Sequence, residues 1–270
     1  METSQIKTIG QALGQMDLSD RQDAQRKTCD QHGDYESTFY RFGGGFWSGC
    51  PACDRERMAA EDAKATTKAE IERKEIRMRN ALQRAAIPPR FQDRQFATFV
   101  PSCEGAKNAL NVIKTYARGF DDALATGRNL ILFGTVGSGK THLAVSAAHS
   151  VIDQGYSAVF ASVMSAVRSV KETYRKGADR TERDAIEALI APDLLILDEV
   201  GVQFGSDAEK LILFEIINGR YESMRPTIVI SNLNMAGLQE YLGERVVDRL
   251  REGGGRAILF DWPSYRKGGA

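Results

Sequence analysis

The stretch NLILFGTVGSGKTHLAVSAAHSVI, residues 129–152, passes from an apolar strand through a glycine-rich turn into a helical run. Within it Gly134, Thr135, Val136, Gly137, Ser138, Gly139, Lys140 and Thr141 spell a complete G-x-x-x-x-G-K-T, placed where a phosphate loop requires it. The glycines let successive backbone N–H groups converge on phosphate oxygens at the head of a helix. Lys140 then brings a point charge to the β- and γ-phosphates, and the Thr141 hydroxyl is a ligand for Mg²⁺.

Working outward, the apolar run Leu194–Leu197 ends in Asp198 and Glu199. After a phosphate loop, a strand ending in Asp-Glu places Asp198 at the outer sphere of the metal and Glu199 where a carboxylate polarises water. An acidic pair at a strand end also caps turns and helices, and that reading stays open. The strand TIVI ends in Ser231-Asn232, where an uncharged amide can hold the attacking water; Asn232 is equally a good turn former. Arg245 and Arg249 stand four apart on one predicted helical face, suited either to stabilising a γ-phosphate from a neighbouring subunit or to surface ion pairing. The order of these features fits hydrolysis better than a kinase.

The rest of the chain frames this core. Its 270 residues carry 36 Lys+Arg against 36 Asp+Glu, so any nucleic-acid contact must come from a local patch. At 42% apolar and 27% charged it reads as an ordinary globular protein. The start METSQIKTIG has no signal-like apolar core and no run is long enough to span a bilayer, so a cytoplasmic location without a membrane is expected. Residues 1–25 suggest a short helix or a frayed arm. About half of the positions in 54–84 are charged, with no proline or glycine, which predicts a solvated linker or docking helix ended by Ile87-Pro88-Pro89. Two domains are therefore expected, 1–90 and 91–270.

Beyond the prolines we expect helices over Glu104–Tyr116, Lys140–Gln154, Met164–Tyr174, Thr181–Leu189, Ala208–Tyr221, Met235–Tyr241 and Glu244–Arg251. Strands are expected over Asn129–Phe133, Ala158–Ser162, Leu194–Leu197, Thr227–Ile230 and Ala257–Phe260. The alternation predicts an α/β fold, a mostly parallel sheet flanked by helices.

The first domain holds Cys29-x₂-His32 and Cys50-x₂-Cys53, two chelating pairs whose spacing can close one tetrahedral Zn²⁺ site with no open position. The alternative is two independent pairs, with Cys50 and Cys53 inert or redox-labile. Phe39, Tyr40, Phe42, Phe46 and Trp47 are expected to form a small core around the metal. With Arg41 they also offer a stacking surface for nucleic acid. Cys103 is expected to be a lone thiol.

Taken together, GTVGSGKTHLA, LLILDEVG, ISN, LGERVVDRL and FDWPSYR resemble the DnaC-type helicase loaders, AAA+ ATPases of the branch shared with DnaA and the IstB transposition helpers. The resemblance covers roughly 98–267. It implies that Lys140 and Thr141 belong to Walker A, Asp198 and Glu199 to Walker B, and Asn232 to sensor 1. It further implies an arginine finger at Arg245 or Arg249, with Arg249 preferred, and a sensor-2-like Arg266. It implies a P-loop AAA+ core of the ASCE type without a separate C-terminal helical lid. ATP/ADP and Mg²⁺ are the implied ligands, and a DnaB-type helicase, single-stranded DNA and a self-assembled spiral are the implied partners. Lys171, Arg175 and Lys176 are candidates for the DNA surface, although solvent exposure explains them as well. An IstB-like transposition helper and a nucleotide-gated helicase adaptor with little turnover are the rival expectations.

Overall fold

The computed structural model describes residues 21–41, 44–201 and 206–265. Two compact units meet in sequence between Lys74 and Glu75. In the first, β1 (Arg21–Cys29) and β2 (Gly33–Tyr40) form an antiparallel hairpin, and the two-residue β3 (Phe46–Trp47) adds to β2. Residues 21–25 are thus strand, where a short helix or arm was expected: they are held by register with β2, from Arg21 opposite Tyr40 onward. Helix α1 (Pro51–Arg84) follows and runs through the division between the units. Proline is tolerated as its first residue because that N–H has no intrahelical partner.

The aromatic residues do not form the expected core. Phe39 packs on Trp47 with rings tilted by 53° and centroids 5.3 Å apart, and Tyr40 stacks on Phe46 at 5.5 Å. Yet Trp47 and Phe46 remain 37% and 46% exposed, because cross-strand pairing lays them on a sheet surface that no other described element covers. Phe42 lies outside the described residues. Among the described residues of β1 to β3 and the loop to Cys50, only Ser37 and Cys50 are buried. So little burial cannot hold a unit of this size by itself.

The second unit begins with α2 (Glu104–Arg118) and α3 (Phe120–Thr126), then alternates β4 (Leu130–Gly134), α4 (Lys140–Asp153), β5 (Ala158–Ser162), α5 (Val163–Lys171), α6 (Glu182–Ile190) and β6 (Leu194–Val200). It continues through α7 (Asp207–Glu222), β7 (Thr227–Ser231), α8 (Met235–Leu242), α9 (Glu244–Arg251) and β8 (Arg256–Phe260). The sheet order is β5-β6-β7-β4-β8 and every neighbouring pair is parallel. Side chains alternate between faces with the period of two that strands impose. Leu130, Leu132, Ile196, Ile228 and Ile230 pack with Ala109, Ile113, Leu143 and Val151 of α2 and α4. Ile131, Leu195, Leu197 and Val229 pack on the other face with Val167, Ile186, Ile216 and Leu250. The expected parallel α/β architecture is therefore what the chain adopts.

Local chemistry explains the boundaries. Thr181 and Ser206 cap α6 and α7 through reciprocal capping boxes with Asp184 and Glu209. The helix expected over Met164–Tyr174 is α5 to Lys171 followed by a 3₁₀ turn, Glu172–Tyr174. Helix α3 was not expected; it is one short turn-bounded segment whose Phe120 and Ala123 are fully buried.

The end of the sheet away from the phosphate loop is organised by Arg220, fully buried on α7. Its guanidinium donates to the carbonyls of Leu189, Ile190, Pro192, Asp193 and Pro226, and Nε donates to Thr227 Oγ1 at 3.0 Å. One side chain thus ties the α6–β6 turn to the start of β7. Arg220→Met keeps the apolar stem and removes every donor. It is expected to cost about 3 kcal/mol, with a drop in thermal midpoint of roughly 6–12 °C in calorimetry. A shift of a degree or less would mean that the carbonyls are satisfied without it.

Candidate functional site

The hairpin and the head of α1 bring four sequence-predicted ligands together. Cys29 ends β1, His32 lies in the tight turn before β2, Cys50 immediately precedes α1, and Cys53 sits in its first turn. Their ligand atoms all lie within 4.8 Å of one another. Cys53 Sγ is 3.5 Å from Cys29 Sγ and 3.3 Å from His32 Nδ1, which stands 3.8 Å from both Cys29 and Cys50. A tetrahedron with metal–sulfur bonds of ~2.3 Å has edges of about 3.8 Å, so the set fits a four-coordinate ion. Backbone N–H groups of Gln31 and His32 lower the Cys29 thiol to about 6, whereas the neighbouring Cys29 sulfur pushes Cys53 up to about 12. The sulfur of Cys29, then Glu56, raise His32 to about 9. These four residues form a potential metal-binding module, not two independent pairs. Sequence reasoning missed Glu56, whose Oε1 is 3.0 Å from His32 Nε2 and fixes the ring with Nδ1 toward the thiols. The available signal was its position three residues beyond Cys53 on a helix.

In the second unit the phosphate-loop sequence bridges β4 and α4. Gly134 has φ +116°, and a Cβ there would lie 2.5 Å from the Phe260 carbonyl oxygen. Gly139 has φ +98° and faces the Phe99 ring. The end of β8 and the segment after it brace the loop: Thr135 N–H donates to Phe260 O, Trp262 Nε1–H to Ser138 O at 2.8 Å, and Tyr265 N–H to Gly137 O at 3.0 Å. The bracing role of Trp262 and Tyr265 has no sequence signal of its own. Lys140 is buried, its Nζ donating to Gly134 O at 2.9 Å and Thr135 O at 2.7 Å. Thr141 Oγ1 donates to Asp198 Oδ2 at 3.0 Å, so the loop and the acidic strand meet.

Asp198 is buried, and burial pushes its carboxyl above the usual range against the opposing hydrogen bonds of Thr141 and Glu199. A buried carboxylate beside a hydroxyl is suited to a cation, which supplies the missing charge. Glu199 is exposed and adopts φ +64°. Asn232, also exposed, directly follows β7, the neighbour of β6. Strand β6 runs to Val200 instead of ending at Leu197, so the acidic pair lies inside the strand.

The arginines differ in their engagement. Arg245 is exposed on α9. Arg249 donates to Asn218 Oδ1 and lies over the Tyr221 ring, 5.1 Å from its centroid. Arg266 lies outside the described residues. Lys171 is paired with Glu209 at 2.8 Å, while Arg175 and Lys176 are exposed. Cys103 is exposed and caps α2 by accepting from Ala106 N–H. Gly134→Ala, which forces a Cβ against the Phe260 backbone in a conformation L residues disfavour, is expected to weaken triphosphate binding at least about tenfold (~1.4 kcal/mol). A fluorescent nucleotide titration measures this, and unchanged affinity would show that the loop tolerates another path.

The comparisons with known proteins bear on this arrangement. The family model described as IstB-like ATP binding protein matches residues 65–250. The replicative helicase loader DnaC of Escherichia coli (strain K12) is 35% identical over 197 residues, covering 73% of this chain and 79% of that protein. A crystal structure of the DnaC helicase loader superposes with a TM-score of 0.58 at 23% identity, covering 64% of this chain and 100% of that one. AMPPCP-bound DnaA from Aquifex aeolicus gives 0.54 at 24% identity, over 65% of this chain and 51% of that one. Both superpositions speak for the fold, while the family model and the loader's identity speak for descent: the chain belongs to the DnaC/IstB-like AAA+ ATPases, related to DnaA, a family whose membership implies ATP binding and hydrolysis.

Proposed function

We propose that this protein is an ATP-dependent helicase loader, which binds a DnaB-type replicative helicase and helps place it on single-stranded DNA in the cytoplasm. The observation that carries the reading is the Thr141–Asp198 contact at the mouth of the phosphate loop, in a chain 35% identical to a replicative helicase loader. Gly134 to Gly139 cradle the phosphates of ATP or ADP, and Lys140 turns from the Gly134 and Thr135 carbonyls to the β- and γ-oxygens. Thr141 and Asp198 would hold Mg²⁺, which supplies neutralising charge to the triphosphate. Glu199 takes a proton from the attacking water, and Asn232 orients that water. Arg245 or Arg249 of a neighbouring copy stabilises the charge on the transferred phosphoryl group, so turnover depends on assembly into a spiral. Arg266 has the sensor-2-like role. Loss of the γ-phosphate removes that bridge between copies and so converts nucleotide state into subunit arrangement.

The module of residues 1–90 is assigned to helicase binding, with Cys29, His32, Cys50 and Cys53 holding a structural Zn²⁺. Thiolates and one imidazole with no open position suit zinc and leave no room for catalysis at the ion. The ATPase domain is assigned to 91–270. DNA lies along basic loops of the assembled ring, where Lys171, Arg175 and Lys176 are candidates. The IstB-like family model favours one second reading, delivery of duplex target DNA to a transposase.

Full-length protein with ATP is expected to retain a replicative helicase in a pull-down and not a transposase; the reverse pattern would establish the second reading. Glu199→Gln should lower ATP hydrolysis by about 10²–10⁴-fold while keeping ATP binding, as expected for loss of a general base. Helicase loading that survives this substitution would make the protein an adaptor with incidental turnover. Zinc analysis of the purified chain should find one ion per chain. Cys53→Ser should lose both the ion and helicase binding while nucleotide binding persists; full helicase retention without zinc would remove the module from that role.

A further inference from the structure

Glu199 does not occupy a plain strand end. Leu197 pairs with Val229 and Val200 with Ser231, so two residues of β6, Asp198 and Glu199, stand opposite the single Ile230 of β7. The acidic pair is a β-bulge, a device that re-aims a side chain out of the regular pleat. Within it Glu199 takes φ +64°, which a residue with a Cβ adopts only when its surroundings impose it.

Two groups impose it. From inside the bulge, Asp198 Oδ1 accepts the Glu199 N–H at 2.7 Å. From β7, the side chain of Ser231, itself only 1% exposed, donates to the Val200 carbonyl at 2.6 Å and accepts the Leu233 N–H at 3.1 Å. Val200 is the residue after Glu199, and Leu233 is the residue after Asn232. A single buried hydroxyl therefore fastens the backbone on the far side of the acidic pair to the backbone on the far side of the amide.

We infer that Ser231 is a positioning residue for ATP hydrolysis: its hydroxyl sets both the bulge that aims Glu199 and the turn that carries Asn232, so the water-activating carboxylate and the amide at the end of β7 keep a fixed relation. The inference rests on the reading of Glu199 as the general base. Ser231 touches neither nucleotide nor water in this role. Lys140 and Thr141 lie on α4, and Asp198 is held separately by its register with Ser162 of β5 and by the Thr141 hydroxyl, so the geometry of the chemical step should suffer and the affinity for nucleotide should not.

The experiment uses the full-length chain and compares Ser231→Ala, Ser231→Thr, Glu199→Gln and the double variant Ser231→Ala/Glu199→Gln for phosphate release and for binding of Mg²⁺ with ATP. Misplacement of a catalytic group by about 1 Å costs on the order of 10²-fold, so Ser231→Ala should lower kcat at least about tenfold with nucleotide affinity within about twofold. Ser231→Thr keeps the hydroxyl and should recover most of the rate. If Ser231→Ala does not fold, Ser231→Cys, nearly the same size and a much weaker hydrogen-bonding group, carries the same expectation. Because Ser231 acts by holding Glu199 and Asn232 in a fixed relation, its loss should cost less once Glu199 is gone, and the double variant should lose less than the product of the two single losses. Wild-type kcat in Ser231→Ala beside an inactive Glu199→Gln overturns the coupling and leaves the base reading standing, as do losses that multiply in the double variant. Wild-type turnover in Glu199→Gln overturns the base reading and this inference together.

Discussion

The contact between the Thr141 hydroxyl and the Asp198 carboxylate is the constraint around which the ATPase core is arranged. Strands β4 and β6 are not neighbours; β7 lies between them, which sets them roughly 10 Å apart at ordinary strand spacing. A loop leaving β4 reaches β6 only by arching over the end of β7, and the glycines with positive φ at its two ends permit that arch. Helix α4 can then begin with Lys140 and Thr141 above the sheet. The bracing by Phe260 and Trp262 acts in the same direction, since it holds the loop from the β8 side while Thr141 meets β6 on the other.

Much of this core is legible in the sequence. The phosphate-loop string sits between an apolar strand and a helix, LLIL and TIVI are continuous apolar runs of strand length, and helix α9 begins and ends where its pattern of Val246, Val247 and Leu250 suggests. What the sequence hides is set by distant partners. The bulge at Asp198 and Glu199 exists only because β6 and β7 keep register on both sides of it. Strand β1, RQDAQRKTC, has no apolar alternation and is recognisable only from its pairing with β2. Helix α3 has seven residues, too few for a helical period to show, and glycines bound it on both sides.

The two units illustrate different solutions to the same free-energy problem. The second buries two apolar layers, one on each face of its sheet, and burial at ~25 cal/mol per Å² of apolar surface is its main source of stability. The first buries almost nothing among its described strands, and its larger aromatics lie on the surface. Four donor side chains are drawn to one point there as a potential metal-binding module, with Glu56 fixing the imidazole that faces them. Metal binding in such a unit is folding free energy, because the unfolded chain has no preformed site.

On the proposed reading, in which α9 supplies an arginine to a neighbouring copy, Arg245 and Arg249 can be ranked by what each must give up. Arg249 would surrender a hydrogen bond to Asn218 and its position over the Tyr221 ring, together about 1–2 kcal/mol at a partly exposed site. Arg245, exposed on the same helical face, gives up neither contact. Spacing alone makes the two residues equivalent, since both belong to one i, i+4 pair. The contacts of α9 with α7 break that equivalence: within the proposed assembly they make Arg245 the less costly residue to extend, while the resemblance prefers Arg249, which here anchors α9 to α7.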